Sequence, residues 1–177
     1  MPEAHMQNVQ HPTQQPQPQP TAPPSLRIMQ INLNKSKTAH QELINSVKSK
    51  NWDIILIQEP HIINNFGGIS TPTNYRPVFP EDRGRNGMPV RLVIWVSSLL
   101  ETKSWENINV PNTNDITAIQ LRGTYGKLTI FNIYNDCTHS NSETTLRTFL
   151  RTQGRRIIGG NDDYMLWAGN FNRHHPL

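Results

Sequence analysis

Met165-Leu166-Trp167-Ala168-Gly169-Asn170-Phe171-Asn172-Arg173-His174-His175 decides how this chain is read. An apolar run ends in a glycine and passes into amides, an arginine and histidines. A short apolar run bounded in this way reads as a buried strand whose carboxyl end carries polar side chains to an edge. The pattern recurs upstream. QINLN carries Asn32, IILIQE ends at Glu59 and FNIYN carries Tyr134, each polar group following an apolar strand. Open α/β sheets place ligands at the carboxyl ends of their strands, so these tips predict one site on one rim.

Working outward, Leu26 to Leu33 reads as the first strand and Ile54 to Ile57 as a strand buried on both faces. Between them, Ala39, Leu43, Ile44 and Val47 recur at helical spacing and predict an amphipathic helix over Lys37 to Lys50. Strand, helix and strand in so short a span put the two strands in one sheet. Pro60 to Met88 reads as a long loop interrupted by a short strand near Tyr75 to Phe79. Further strands are expected at Val90 to Val96, Trp105 to Val110, Asp115 to Leu121, Lys127 to Tyr134 and Tyr164 to Ala168. Gly123 to Gly126 marks a hairpin between two of them. Ser142 to Arg156 reads as a second helix, capped by Asn141 or Ser142, with Gly154 weakening its last turn.

Seven of the 14 prolines and six glutamines fall in the first 24 residues, with little to bury. Residues 1–25 are therefore expected to be a disordered Pro/Gln-rich tail and 26–177 the folded part. The tail lacks the features of a signal or transit peptide, and no apolar stretch approaches the roughly 20 residues needed to cross a bilayer. The lone Cys137 excludes an intrachain disulfide and a multi-cysteine zinc site. The expectation is an intracellular chain without a membrane partner. Its net charge of +4 suits a polyanion but does not by itself distinguish one from an ordinary basic surface. Arg147, Arg151, Arg155 and Arg156 read as a solvated helix face.

Cleaving a phosphodiester with a magnesium ion requires a hard oxygen ligand, donors to the non-bridging oxygens and a base for the attacking water. Glu59 suits the ion, and amides or a tyrosine suit the phosphate. Singly, each has a structural explanation: an exposed residue after a strand, turn-forming asparagines, a tyrosine covering a core. His174 and His175 are adjacent and cannot both face one ion from a regular strand.

Taken together and in order, QINLNKS, IQEP, NIYND and G-x-FNRHHPL resemble the endonuclease/exonuclease/phosphatase superfamily. More narrowly, they are similar to the endonuclease domain of LINE-type (non-LTR) retrotransposons, especially those of fungi. The resemblance runs from Leu26 to Leu177. It implies a two-sheet α/β sandwich of the deoxyribonuclease-I-like type, Mg²⁺ as the ion, DNA as the partner, no small-molecule cofactor, and a nuclear location for a working copy. It assigns Glu59 and Asn32 to the metal and Tyr134 to the scissile phosphate. Asn172 matches a phosphate and transition-state ligand, and His175 a residue that supports the site or approaches substrate.

Asn170 occupies the place of an aspartate that orients or deprotonates the attacking water or protonates the leaving group. An amide keeps the shape but accepts no proton at neutral pH, a function typically worth about 10²–10⁴-fold in rate. The family also carries a later third of the domain with an aspartate–histidine pair. The chain is thus expected to hold the N-terminal two-thirds of the domain, incomplete at the C-terminus, with open strand edges that favour aggregation. Three functions follow as expectations: a Mg²⁺-dependent DNA endonuclease impaired at Asn170, a non-catalytic nucleic-acid-binding remnant, or a phosphatase of the same superfamily.

Overall fold

The computed structural model describes residues 25–47, 52–63, 68–83, 89–135 and 141–171. Ser36 turns the chain from β1 (Ile28–Asn32) into α1 (Lys37–Val47). Its Oγ accepts the Ala39 N–H at 3.2 Å, satisfying one of the first-turn donors that a helix leaves free. α1 crosses over to β2 (Ile54–Gln58), which pairs parallel with β1, as the strand–helix–strand spacing requires. β3 (Tyr75–Val78) and β4 (Leu92–Ser97) complete a mixed sheet in the order β1-β2-β4-β3. A 3-10 turn at Thr102–Ser104 leads into β5 (Trp105–Ile108). β6 (Ile116–Gly123), β7 (Gly126–Tyr134), α2 (Asn141–Ile157) and β8 (Asp163–Asn170) follow. The second sheet is β5-β6-β7-β8, antiparallel except for the parallel pair β7/β8, again joined by a helix.

The strand period of two explains the layers. On β2, Ile54 and Leu56 face the second sheet, where they meet Ile119, Leu121 and Ile130. Ile55 and Ile57 face outward under Leu43 and Val47 of α1. On the second sheet, Ile116, Ala118, Phe131 and Ile133 face outward under Leu146, Phe149 and Ile157 of α2. The result is a helix–sheet–sheet–helix sandwich, which accounts for the continuous apolar run at Ile54 to Ile57.

A relay of amides joins the sheets, running from exposed Gln30 on β1 through buried Gln58 to buried Asn132. Gln30 Nε2 donates to Gln58 Oε1, and Gln58 Nε2 donates to Asn132 Oδ1. Asn132 Nδ2 then gives one hydrogen each to the carbonyls of Ile57 and Val93, both at 3.1 Å. Those carbonyls belong to paired residues of β2 and β4. One amide from the second sheet therefore clamps two central strands of the first.

The predicted elements are all present, with changes at their ends. β5 stops at Ile108, short of Val110. Ser142 does not cap α2; its Oγ donates to the Tyr134 carbonyl at 2.9 Å and ties the helix start to the end of β7. α2 continues through Gly154 because Ile157, buried against the second sheet, repays the weak turn. The Gly123–Gly126 hairpin is a two-residue connection, and Gly126 at φ 98° lies where a Cβ would strike the Asp162 carbonyl. β8 is the edge of its sheet, with Tyr164 and Trp167 exposed. The expected tail, Cys137, Asn172, His174 and His175 lie outside the described residues, as does the predicted last turn of α1.

Asn132→Ala should leave the Gln58 amide unpaired, at about 1–3 kcal/mol, and remove one hydrogen bond each from two carbonyls that the β2/β4 ladder still serves. A loss of about 2–4 kcal/mol is expected in urea unfolding, without change in the denaturant slope. A loss below about 0.5 kcal/mol, the usual scale of surface substitutions, would show that the relay is not formed in solution.

Candidate functional site

The parallel pair β1/β2 and the parallel pair β7/β8 end at the same rim of the sandwich. Antiparallel pairing brings the starts of β4 and β6 there too, since Leu92 lies opposite Gln58 and Ile116 opposite Ile133. The rim thus gathers Asn32, Glu59, Arg91, Asp115, Tyr134 and Asn170.

Glu59 leaves the last position of β2 at φ 46°, in the left-handed region that a non-glycine residue enters at a cost of about 1–3 kcal/mol. Both its peptide groups are held. Its N–H donates to the Arg91 carbonyl and its own carbonyl accepts the Lys35 N–H, each at 2.7 Å. Asn34 and Lys35 are also left-handed, at φ 46° and 58°. The chain after β1 therefore curls to meet the chain after β2. Asn32 is opposite Gln58 in register, and its Oδ1 accepts the Asn34 N–H at 2.8 Å, an Asx turn that shapes this curl.

Tyr134 comes from the other sheet. Its alternation partner Asn132 faces the first sheet, so Tyr134 faces it as well, and its hydroxyl donates to Glu59 Oε1 at 3.2 Å. Arg91 sits over the tyrosine ring, 5.3 Å from its centroid, and pairs with Asp115 at 3.6 Å. The Tyr134 phenol is pushed above its ordinary pKa, first by burial, then by the negative charge of Glu59 and the hydrogen bond to it, with Arg91 opposing. At neutral pH it is a proton-bearing donor. The Glu59 side chain is 14% exposed, and Lys35 Nζ stands 4.0 Å away on an exposed, screened stem.

Asn170 lies opposite Tyr134 in the β7/β8 register, and its carbonyl accepts the Asn135 N–H at 2.8 Å. The approach depends on Gly169. At φ 146° it lies against β7, where a Cβ would stand 1.9 Å from the Ile133 carbonyl oxygen. Asn135 Nδ2 holds the next residue through the Phe171 carbonyl at 3.1 Å.

Of the residues singled out in the sequence, Asn32, Glu59, Tyr134 and Asn170 lie on this rim; Asn172 and His175 fall outside the described residues. Arg91 and Asp115 were not foreseen. Their only signal is position: each polar residue stands immediately before a strand, at the end that antiparallel pairing carries to the rim. Among the described residues no three His, Cys, Asp or Glu side chains gather as a metal cage. A hydrated magnesium ion needs one or two protein oxygens, and the Glu59 carboxylate with the Asn32 amide oxygen fits that demand. A cavity of about 540 Å³ lies elsewhere, between β5 and α2 over Ile108 and Phe149, and is lined by neither Glu59 nor Tyr134.

No protein-family model matches the sequence. No curated protein is significantly similar to it. Solved structures are similar in fold. The endonuclease domain of TRAS1, a telomere-specific non-LTR retrotransposon, superposes with TM-score 0.59 at 21% identity, over 85% of this chain. Truncated Caenorhabditis elegans TDP2 gives 0.52 at 18% identity, over 85% of this chain and 65% of its own. D. rerio TDP2 complexed with single strand DNA product gives 0.51 at 16% identity, over 84% of this chain and 61% of its own. The chain spans 61% of the length of the TRAS1 domain. The likeness shows the fold, a two-sheet α/β sandwich of the deoxyribonuclease-I-like type. No described helix is long and apolar enough to cross a membrane.

Glu59→Gln removes a negative charge and a charged acceptor from the phenol of Tyr134, both of which disfavour the phenolate. The Tyr134 titration should move down towards the ordinary tyrosine value while burial keeps it somewhat above. Ring-carbon NMR of labelled tyrosines through an alkaline titration reads the shift. An unmoved midpoint would mean that the two side chains do not meet in solution.

Proposed function

We propose that this rim is the phosphate-binding part of a Mg²⁺-dependent DNA endonuclease site, and that Asn170 leaves it able to bind DNA but poorly able to cut. The observation that carries the reading is the hydrogen bond from Tyr134 to Glu59 across two sheets, made beside a strained, doubly held Glu59 backbone. Backbone strain of this kind clusters where a side chain must be aimed, and the surrounding hydrogen bonds offset its cost.

Glu59 and Asn32 would hold the ion, which when bound neutralises phosphate charge and acidifies water. Tyr134, kept protonated, would turn its one hydroxyl hydrogen from Glu59 to a non-bridging phosphate oxygen when substrate binds. Arg91, stacked on the Tyr134 ring, adds positive potential beside that oxygen. Asn172 and His175, by resemblance, would contact phosphate and substrate. What the described rim lacks is a group to take the proton from water. The Asn170 amide has no basic lone pair at neutral pH, and the nearby carboxylate, Asp115, is engaged by Arg91. Loss of general acid–base help costs about 10²–10⁴-fold. A DNA partner would make the nucleus the working location. The likeness to a retrotransposon endonuclease domain and to a TDP2 seen with a DNA product supports nucleic acid over a small phosphorylated substrate.

With supercoiled plasmid and Mg²⁺, the purified chain should nick no faster than its Glu59→Ala variant. Asn170→Asp alone should recover little, because catalytic groups that act together are strongly non-additive. DNA binding, followed by fluorescence anisotropy, should weaken as salt rises. Metal-dependent nicking by the unaltered chain that Glu59→Ala abolishes would overturn the impaired-site reading; absence of DNA binding at low salt would overturn the DNA assignment.

A further inference from the structure

One imidazole joins α1 to the chain that leaves Glu59. His40 is 3% exposed, yet both of its ring nitrogens are engaged. Nδ1 lies 3.2 Å from the His61 backbone nitrogen, and Nε2 lies 2.9 Å from the Ser70 carbonyl oxygen. A backbone N–H can only donate and a carbonyl can only accept. The ring is therefore the neutral tautomer with its proton on Nε2, accepting at Nδ1. Burial pushes its pKa below the ordinary histidine value, the Ser70 bond opposes this, and neighbouring His61 adds to the lowering. Trp95 lies tilted against the ring, with centroids 5.7 Å apart, and fixes its plane. With both nitrogens used, His40 is neither a metal ligand nor a base.

What it grips is the segment just past Glu59. Pro60 is buried and its φ is fixed, so little slack separates Glu59 from His61. Arg91 holds the peptide group that enters Glu59, and Lys35 the one that leaves it. Beyond Pro60, the next hydrogen bond among the described residues is the one from His61 to His40. Past Pro60, packing supplies little substitute. A cavity of about 310 Å³ opens between α1 and this segment, over Ile44, His61, Ile63 and Ser70. The two peptide groups of Glu59 are thus held by Arg91 and Lys35, and beyond buried Pro60 the chain leaving it is tied to α1, among the described residues, by a single ring nitrogen.

We propose that His40 is a positioning residue: by accepting the His61 N–H it fixes the chain leaving Glu59 and so holds that carboxylate in its cation-binding pose. The consequence for cation binding rests on the reading of the rim given above; the clamp itself does not. The two conservative substitutions separate the two nitrogens. Asparagine places an acceptor where Nδ1 stands but cannot reach Ser70. Glutamine reaches Ser70 but offers nothing at the Nδ1 position. A residue that merely fills the core would not distinguish them in this direction.

The test uses the full chain and Mn²⁺ as the probe, with affinity read by electron paramagnetic resonance and exchange of the His61 amide by NMR. His40→Asn should bind Mn²⁺ within about threefold of the unaltered chain and keep the His61 amide protected. His40→Gln should bind about tenfold more weakly and lose that protection, and in a Glu59→Ala background the two should bind alike. A folded His40→Gln chain with unaltered Mn²⁺ affinity and unaltered protection overturns the proposal and leaves the rim reading standing. If Glu59→Ala does not change Mn²⁺ affinity, the rim reading fails, and the clamp is decided by the exchange data alone: protection kept by asparagine and lost by glutamine supports it, and equal protection overturns it. Should His40→Gln not fold, His61→Pro removes the donated N–H while leaving the buried ring. The same weakening of Mn²⁺ binding is expected there, and unaltered affinity overturns the proposal.

Discussion

The sandwich depends on a chain of amides that runs from exposed Gln30 into the largely apolar interface between the sheets. Gln30, Gln58 and Asn132 pass hydrogen bonds in one direction, and the last of them spends both of its hydrogens on carbonyls of the opposite sheet. Apolar contacts between sheets tolerate sliding, because one aliphatic surface resembles another. Hydrogen bonds do not, and inside a protein each bond in such a chain strengthens the next. The relay therefore sets the register of one sheet against the other. Its position matters: Gln58 is the residue before Glu59, and Asn132 stands two before Tyr134. The contact at the rim inherits its alignment from the buried amides below it.

The rim shows how a fold spends stability locally. Three residues at two strand exits, Asn34 and Lys35 after β1 and Glu59 after β2, adopt left-handed backbone without glycine. Each is compensated by a nearby hydrogen bond, from Asn32, from Glu59 itself and from Arg91. Gly169 solves the opposite problem. There the backbone of β8 must come so near β7 that no side chain fits, and glycine is the residue that permits it. The two devices bring chain ends from both sheets to one place.

Much of this was legible in the sequence. Apolar runs at strand length and helical spacing over Lys37 to Val47 gave every element its place, since periodicity is a local property. The rim was legible too, because Asn32, Glu59, Tyr134 and Asn170 each follow an apolar run. The relay was not: an amide inside an apolar strand looks the same whether it faces solvent or another sheet. Arg91 and Asp115 were hidden for a related reason, as their proximity arises from antiparallel pairing and not from sequence. The turn at Glu59 ran against local expectation, because the proline after it favours extended backbone at that position. His40 carries no signal in the sequence; only tertiary structure shows that both its nitrogens are in use.

The separation in sequence between the partners has a consequence for how the protein is made. Glu59 and Tyr134 are 75 residues apart, and Gln58 and Asn132 are 74. At about 5–20 residues per second, the ribosome delivers the second member of each pair roughly 4–15 seconds after the first. During that interval β1, α1 and β2 can pair, since their contacts are local, but Gln58 has no amide to receive its proton and the inner face of the first sheet has no cover. The nascent chain therefore passes through a stage in which an aliphatic sheet surface is open to other chains, and the arrival of β7 both closes that surface and draws Glu59 into place.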